Sequence, residues 1–333
     1  MRRGKRVLLA GLVLSMMPTL AMAEEVVIYS ARKDHLIKPL LDAYKARTGV
    51  EGRFLSDDAA PLTARLKAEG ANTPADLLLT VDVGNLWNAA QEGVLQEVQS
   101  EVLDKNVPAH LRDPGHRWFG VTVRARTLVY HTERVKPEQL STYENLADAA
   151  WKGKLCLRSS KKVYNQSLVA MLIARLGLEK TEAVVKGWVA NLADAPFAND
   201  TKVMEAILAG QCDVGIVNTY YFGELQEKRP DMPLALYWPN QKESGVHINV
   251  SGAGVTAHAR NRAGAVKLLE WFTTEEAQRL FADLNKEYPV NAAVAASPSV
   301  SAWGRFKADE MPLVKAGEHQ ADAVMLMDRV GYK

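Results

Sequence analysis

Two long β-rich runs constrain the fold of this chain most strongly: WFGVTVRARTLVYHTERV at residues 118–135 and HINVSGAGVTAH at 247–258. Both are longer than an ordinary strand of about five to six residues. The residues between them form a second α/β unit. A chain that leaves one lobe and later re-enters it needs two such crossover strands. The pair predicts two lobes joined by a hinge: residues 24–126 and 250–333 form the first lobe, 127–249 the second, and the C-terminal helices also reach the second lobe.

Short apolar runs alternate with helical patterns in the first part of the chain. VVIYS precedes a helix expected at 34–47, which Gly49 ends, and GRFLS and ADLLLTV are further strands. This alternation is typical of an α/β fold with parallel sheets, in which ligands collect at the carboxyl ends of strands. About 300 residues also exceed one hydrophobic core, which favours two lobes that enclose a ligand.

The N-terminus indicates export. Basic residues precede the apolar run VLLAGLVLSMM, and Ala21-Met22-Ala23 is a small-residue cleavage site. Removal of residues 1–23 leaves 37 basic against 39 acidic residues, a balance that gives no reason to expect nucleic-acid binding. We therefore predict a periplasmic protein with a cleavable signal peptide.

Four tyrosines predict a metal site. Tyr29 follows an N-terminal strand pattern, Tyr164 lies in KKVYNQS, and Tyr220 and Tyr221 are adjacent in NTYYFGE. A phenol titrates near pH 10, so each phenolate at neutral pH costs roughly 4 kcal/mol, and three cost about 12 kcal/mol. A small, highly charged cation offsets that cost, and anionic oxygen ligands suit hard ions, with iron(III) first.

An isolated tyrosine more often packs in a core with its hydroxyl hydrogen-bonded than binds a metal. We apply that interpretation to the other tyrosines. The adjacent pair differs, because Asn218-Thr219 supplies a cap and turn that let both rings face a cleft.

Cys156 and Cys212 are the two cysteines of the sequence. An oxidising compartment favours a disulfide between them, and each lies eight residues before a predicted tyrosine ligand. A bridge would tie the two tyrosine-bearing segments together. The alternative is a pair of buried thiols that act as small hydrophobic residues.

Several segments carry a family resemblance, namely VVIYSARKDHLIKPLLDAYKARTG, VRARTLVYHTERV, VYNQSLVAML, CDVGIVNTYYFGEL and HINVSGAGV. They resemble the periplasmic ferric-ion-binding proteins of ABC iron importers, also called bacterial transferrins. The resemblance implies a two-lobed type II periplasmic binding protein fold that closes over one ferric ion. It also implies delivery of the ion to an inner-membrane permease, and we expect a monomer.

One branch of that family uses a histidine and a glutamate of the first lobe beside the paired tyrosines. This chain lacks the histidine in Tyr29-Ser30-Ala31-Arg32 and offers Asp82 in place of a glutamate. It resembles the tyrosine-rich branch, which implies the ligands Tyr29, Tyr164, Tyr220 and Tyr221. His35 is then expected on a helix surface, and His247 in a structural or supporting role.

Relatives in that branch differ in whether an anion, typically carbonate, completes the metal shell. Arg124 and Arg126 alternate on one face of a crossover strand, and a guanidinium fork suits a planar anion. Either could bind carbonate, or both could pair with carboxylates. Arg32 is expected to lower the cost of a nearby phenolate, and Ser159 either hydrogen-bonds a ligand or turns the chain.

Two other functions compete with ferric capture. A binding protein for an organic solute or oxyanion would share the fold and use the tyrosines as stacking walls. A secreted hydrolase is disfavoured, because the sequence contains neither a GxSxG elbow nor an HExxH pair. We therefore expect a transport protein and not an enzyme.

Overall fold

The structure is a computed structural model that describes residues 25–333, so the predicted signal segment lies outside the described residues. The strands are β1 (Glu25–Ser30), β2 (Glu51–Ser56), β3 (Leu77–Val81), β4 (Phe119–His131), β5 (Leu155–Cys156), β6 (Val214–Asn218), β7 (Leu234–Tyr237), β8 (Ile248–Val255) and β9 (Tyr288–Pro289). The helices are α1 (Asp34–Thr48), α2 (Ala59–Glu69), α3 (Val83–Gln91), α4 (Glu101–Asn106), α5 (Val163–Leu176), α6 (Leu178–Asn191), α7 (Asp200–Leu208), α8 (Thr219–Lys228), α9 (Arg262–Phe272), α10 (Glu275–Asn285), α11 (Pro298–Ser301), α12 (Val314–Glu318) and α13 (Gln320–Arg329).

The strands pair in the order β2-β1-β3-β8-β4-β6-β5, with β7 and β9 also paired to β4. Strand β1 is parallel to β2 and β3, and β5 is parallel to β6. The pairs that involve β4 and β8 are antiparallel. The predicted parallel pairing therefore occurs away from the crossover strands, whereas the strands that leave and re-enter the first lobe run antiparallel to their neighbours.

Strand β4 belongs to both lobes. Its first half, to Ala125, pairs with β8, and its second half, from Arg126, pairs with β6. Where the partners change, the Arg126 amide donates to the His247 carbonyl at 3.0 Å. The two crossover segments are thus hydrogen-bonded to each other at the hinge.

The predicted first helix forms because its sequence carries both an apolar face and a terminator. Ile37, Leu40 and Leu41 are buried, and Gly49 adopts φ 77° with its amide bonded to the Lys45 carbonyl. This left-handed C-cap is the conformation that glycine adopts without strain.

The C-terminal helices join the lobes. α12 packs on α3 of the first lobe and on α5 of the second, and α13 packs on α5 and α6. Tyr332, just beyond α13, is 3% exposed. Its hydroxyl donates to the Arg158 carbonyl at 2.6 Å. The tail therefore supports the segment that leads into α5.

Within residues 25–333, no helix combines the length and apolarity that a membrane span requires.

His247 is a buried hinge residue whose neutral form the fold requires. It is 3% exposed, and neither ring nitrogen has a hydrogen-bond partner among the described residues. Burial lowers the pKa of His247 to about 3. In the unfolded chain a histidine has a pKa of about 6.5. Between about pH 3 and pH 6.5 the unfolded chain therefore binds more protons at His247 than the folded protein does. The stability that neutral His247 contributes is complete above about pH 6.5 and falls on acidification.

We expect the parent to lose about 2 kcal/mol of unfolding free energy through this residue between pH 7 and pH 5. Urea unfolding of the parent and of His247→Gln at both pH values measures the effect. The variant should show the smaller loss on acidification, whatever its stability at pH 7. Equal losses in the two proteins would contradict this role.

Candidate metal site

A cavity of about 210 Å³ lies between the lobes and contains three of the four predicted tyrosines. Tyr164, Tyr220 and Tyr221 line it from the second lobe. Arg124 lines it from a crossover strand and Arg32 from the first lobe. Aromatic hydroxyls and guanidinium groups therefore meet at the cleft.

The starts of two helices place the tyrosines. Tyr164 is the second residue of α5, and Tyr220 and Tyr221 lie in the first turn of α8, directly after β6. The Tyr220 and Tyr221 ring centroids are 4.3 Å apart with the planes at 44°. Tyr164 interacts electrostatically with Tyr220 and Tyr221, and the Asn218 side-chain amide donates to the Tyr220 hydroxyl at 3.3 Å. The hydroxyls thus converge.

At Gly223, helix α8 closely approaches residues 286–303, which belong to the part of the chain that returns to the first lobe. A Cβ at this position would lie 2.9 Å from the Trp303 ring and 3.2 Å from Cβ of Lys286. Lys286 also pairs with Glu227 of α8 at 2.6 Å. These contacts fix the helix that carries the tyrosine pair.

The site disfavours phenolates unless a cation is present. Burial raises the pKa of Tyr164, and the nearby Tyr221 raises it further, whereas Arg124 lowers it. Burial also raises the pKa of Tyr220 well above its ordinary value, with added contributions from Tyr164 and Tyr221. A bound cation lowers the pKa of these hydroxyls and so favours the phenolate forms.

Tyr29 does not belong to this group, contrary to the prediction. It lies within β1, is 2% exposed, and its hydroxyl donates to both carboxylate oxygens of Glu69 at 2.9 Å. The Arg65 guanidinium lies 5.2 Å from its ring centroid. Successive side chains of a strand point to opposite faces, and Tyr29 points to a separate pocket shared with Arg53 and Arg260. Burial and the Glu69 hydrogen bond raise the pKa of Tyr29.

Consequently, the tyrosines at the cleft come from the second lobe alone. The predicted set of four ligands is not brought together, because Tyr29 lies in a different pocket from the other three. The first lobe contributes charged groups instead.

Arg124 has free donor capacity that faces the cleft. It is 1% exposed, its Nη1 donates to Ser251 at 3.3 Å, and its Nη2 lies 3.5 Å from an Asp82 carboxylate oxygen. Its Cζ is 5.6 Å from the centroid of Tyr164. Nε and Nη2 have no hydrogen-bond partner within residues 25–333.

Asp82 holds Arg124 and the Tyr164 helix in place. It is fully buried at φ 76°, an uncommon backbone conformation for a residue other than glycine. Its carboxylate accepts hydrogen bonds from Ser167 of α5 and from Asn249 of β8, the latter at 2.9 Å. It does not line the cavity. Asp82 therefore links the first lobe, the hinge and the helix that begins beside Tyr164.

Arg126 is engaged behind the tyrosines and does not line the cavity. Its Nη1 pairs with Asp200 at 3.1 Å and donates to Asn218 at 3.2 Å, and its Nε donates to Asn165 at 3.0 Å. Of the two arginines predicted for an anion, the structure brings only Arg124 to the cleft. The competing prediction, that both arginines pair with carboxylates, describes Arg126 with Asp200 and also Arg124 with Asp82.

Of the other two residues predicted to support the site, Arg32 lies at the cleft and Ser159 has a local structural role. Arg32 lines the cavity and pairs with Glu287 at 2.8 Å, with both residues almost fully buried, and its Nε has no partner in the described chain. It does not lie beside the Tyr29 hydroxyl as predicted. The Ser159 hydroxyl accepts from the Lys161 amide at 3.3 Å and turns the chain before α5.

The sequence analysis missed Arg158. This residue is 6% exposed, and its Cζ lies 5.0 Å from the Tyr164 ring centroid. It pairs with Asp200 at 3.4 Å. No spacing in the sequence distinguishes it from other arginines, because only the fold brings it to the tyrosines.

Cys156 and Cys212 form a disulfide that joins the end of β5 to the loop before β6. They lie in a small core under α7 and α8 with Val203, Met204 and Phe222. The disulfide therefore stabilises the core on which helix α8, with its tyrosine pair, packs.

Histidine, cysteine and acidic side chains offer no competing site. No group of three or more of them that could hold a metal ion occurs within residues 25–333. His35 is exposed on α1, as expected. Asp58, Glu224 and Glu287 also line the cavity, but they form no such group, and three tyrosine hydroxyls meet there.

The family model for bacterial extracellular solute-binding proteins matches residues 72–308. The chain belongs to this family. Among curated relatives of this solute-binding protein, iron uptake protein A1 of Synechocystis sp. is 45% identical over 316 residues, covering 93% of this chain and 88% of the relative.

Solved structures agree with the two-lobed fold. The solute-binding protein superposes on the IdiA (FutA) protein of Trichodesmium, solved with iron and citrate, with a TM-score of 0.89 at 41% identity, covering 93% of this chain and all of that one. The open form of ferric iron-binding protein A of Mannheimia haemolytica gives 0.88 at 39% identity, with 93% and 99% covered. The predicted type II binding-protein fold is thereby confirmed.

Proposed function

We propose that this solute-binding protein captures ferric iron in the periplasm with the phenolates of Tyr164, Tyr220 and Tyr221, and delivers it as a monomer to an ABC permease. The convergence of the three hydroxyls in one cleft carries the proposal. The iron-binding relatives support the choice of cargo.

Charge favours a trivalent ion. The three phenolates together cost about 12 kcal/mol at neutral pH before burial is counted. Burial and mutual proximity raise that cost here, since they raise the pKa of Tyr164 and Tyr220. Three phenolate charges also neutralise one ferric ion completely.

The site is poorly suited to an organic solute held by aromatic stacking. Ligand pockets for such molecules usually measure about 300–1,000 Å³, whereas this cavity measures about 210 Å³. The Tyr164 ring is already covered by the guanidinium groups of Arg124 and Arg158. Tyr220 and Tyr221 contact each other at 44° and do not form parallel walls.

An anion completes the site through Arg124. Within residues 25–333, its Nε and Nη2 have no hydrogen-bond partner, and Nη2 has only the 3.5 Å ion-pair contact with Asp82, although the residue is 1% exposed. Buried donors without partners are costly, and an oxyanion satisfies two of them at once. Carbonate is the first candidate, and the citrate bound with iron in the Trichodesmium relative makes a carboxylate the second.

Capture involves closure of the lobes about the crossover strands, as in other hinged binding proteins. The second lobe presents the tyrosines, and closure brings Arg32 and the neighbouring first-lobe wall over the ion. Protonation of phenolates, reduction of the metal or contact with the permease then opens the site.

The experiment is a titration of the apo-protein with ferric nitrilotriacetate, followed in the visible range, with and without added bicarbonate or citrate. Phenolate-to-iron charge transfer should give a coloured one-to-one complex. Arg124→Gln should abolish the dependence of the band on the added anion and leave the colour. A parent protein that stays colourless with iron would overturn the proposal.

A further inference from the structure

Arg158 is a buried guanidinium in contact with two of the cleft tyrosines. It follows β5 by two residues and is 6% exposed. Its Cζ lies 5.0 Å from the Tyr164 ring centroid, and its guanidinium interacts electrostatically with Tyr221. It thus bridges the tyrosine of α5 and one tyrosine of α8.

The charges around Arg158 do not balance. Arg126 and Arg158 share one carboxylate, Asp200, with contacts of 3.1 Å and 3.4 Å to its two oxygens. All three residues are at least nine-tenths buried. Two cations and one anion leave a single positive charge directly behind the tyrosines. A buried charge without compensation is costly, so this cluster favours negative charge on the neighbouring oxygens.

The backbone at Arg158 is held firmly. Its carbonyl accepts hydrogen bonds from the Tyr332 hydroxyl at 2.6 Å and from the Asn165 amide at 2.7 Å. The other atom of that amide, Asn165 Oδ1, accepts from Arg126. The backbone of Arg158 is therefore fixed, and its guanidinium is held by Asp200, while its Nε has no partner in the described residues.

We propose that Arg158 is a positioning residue of the ferric site: it sets the relative placement of Tyr164 and Tyr221, and its charge stabilises their phenolate forms on the metal. This inference rests on the proposed function. It assigns to Arg158 a role distinct from that of Arg124, because Arg158 acts on the protein ligands and not on an added anion.

The test compares the ferric complexes of the parent, Arg158→Gln and Arg158→Lys, loaded from ferric nitrilotriacetate. Arg175→Gln is the matched control: Arg175 lies on the same helix as Tyr164, pairs with Asp309, and does not line the cleft. The position of the visible band and the affinity for iron, measured by chelator competition, are the two readouts.

Loss of a positive charge beside a phenolate raises the energy of its donor electrons, so Arg158→Gln should shift the band to longer wavelength. The affinity should fall at least about tenfold, because the substitution removes a buried positive charge beside two ligand phenolates. Arg158→Lys, which keeps the charge but loses the planar fork, should lie between the parent and Arg158→Gln in both readouts. Arg175→Gln should match the parent.

A folded Arg158→Gln protein with the parent's band position would overturn the inference, even if its affinity falls, because a purely structural role lowers affinity without moving the band. If Arg158→Gln does not fold, a parent-like band and affinity in Arg158→Lys overturn it. A colourless parent protein would instead refute the proposed function, and this inference with it.

Discussion

Replacement of Tyr220 or Tyr221 by phenylalanine should lower the affinity for ferric iron at least about 100-fold, or about 2.7 kcal/mol. Each substitution removes one anionic oxygen ligand and leaves the ring packing almost unchanged. Tyr164→Phe should have an effect of the same size, because Tyr164 lines the same cavity as Tyr220 and Tyr221. Chelator competition and the visible band of the ferric complex provide the measurement, and the band should weaken or shift in each variant.

Tyr29→Phe is the matched control, since its hydroxyl binds Glu69 in a separate pocket. This variant should keep the parent's band and affinity, and lose only stability. A bleached or shifted band in Tyr29→Phe, with parent-like behaviour in Tyr220→Phe and Tyr221→Phe, would reverse the assignment of ligands made from the structure.

Removal of the disulfide by the double substitution Cys156→Ala and Cys212→Ala should lower the free energy of unfolding by about 4 kcal/mol. The bridge closes a loop between residues separated by 56 positions, and the entropy of a loop of that size in the unfolded chain corresponds to this value. Urea unfolding of the mature protein measures the change.

The parent with its disulfide reduced should show the same loss, because reduction and substitution remove the same constraint on the unfolded chain. The double variant should still bind iron, since neither cysteine lines the cleft. Stability of the double variant within about 1 kcal/mol of the parent would contradict the role assigned to the bridge.

The spacing of apolar residues in the sequence predicted those helices and strands that form by burying an apolar face. The first helix, the first three strands and both crossover strands occur where apolar patterns and a glycine stop indicated them. The adjacent tyrosines were also predictable, because a strand end followed by a helix start presents neighbouring side chains to one cleft. The predicted lobe boundaries remain predictions, although the change of strand partners falls between Ala125 and Arg126.

Side-chain direction could not be predicted in the same way. Tyr29 looked like a strand-end ligand, but strand alternation directs it away from the cleft and Glu69, 40 residues later, satisfies its hydroxyl. Arg126 and Arg158 depend on Asp200, a partner that only the tertiary fold brings near. Long-range charge pairing has no periodic signature, so these assignments required the structure.

A crystal structure of the iron-loaded protein, with the metal located by its anomalous scattering, tests the central claim most directly. The account predicts one iron in the cleft, bound by the hydroxyl oxygens of Tyr164, Tyr220 and Tyr221, with Tyr29 still bonded to Glu69. Iron bound elsewhere, or a cleft filled by an organic molecule with these three oxygens turned apart, would contradict it.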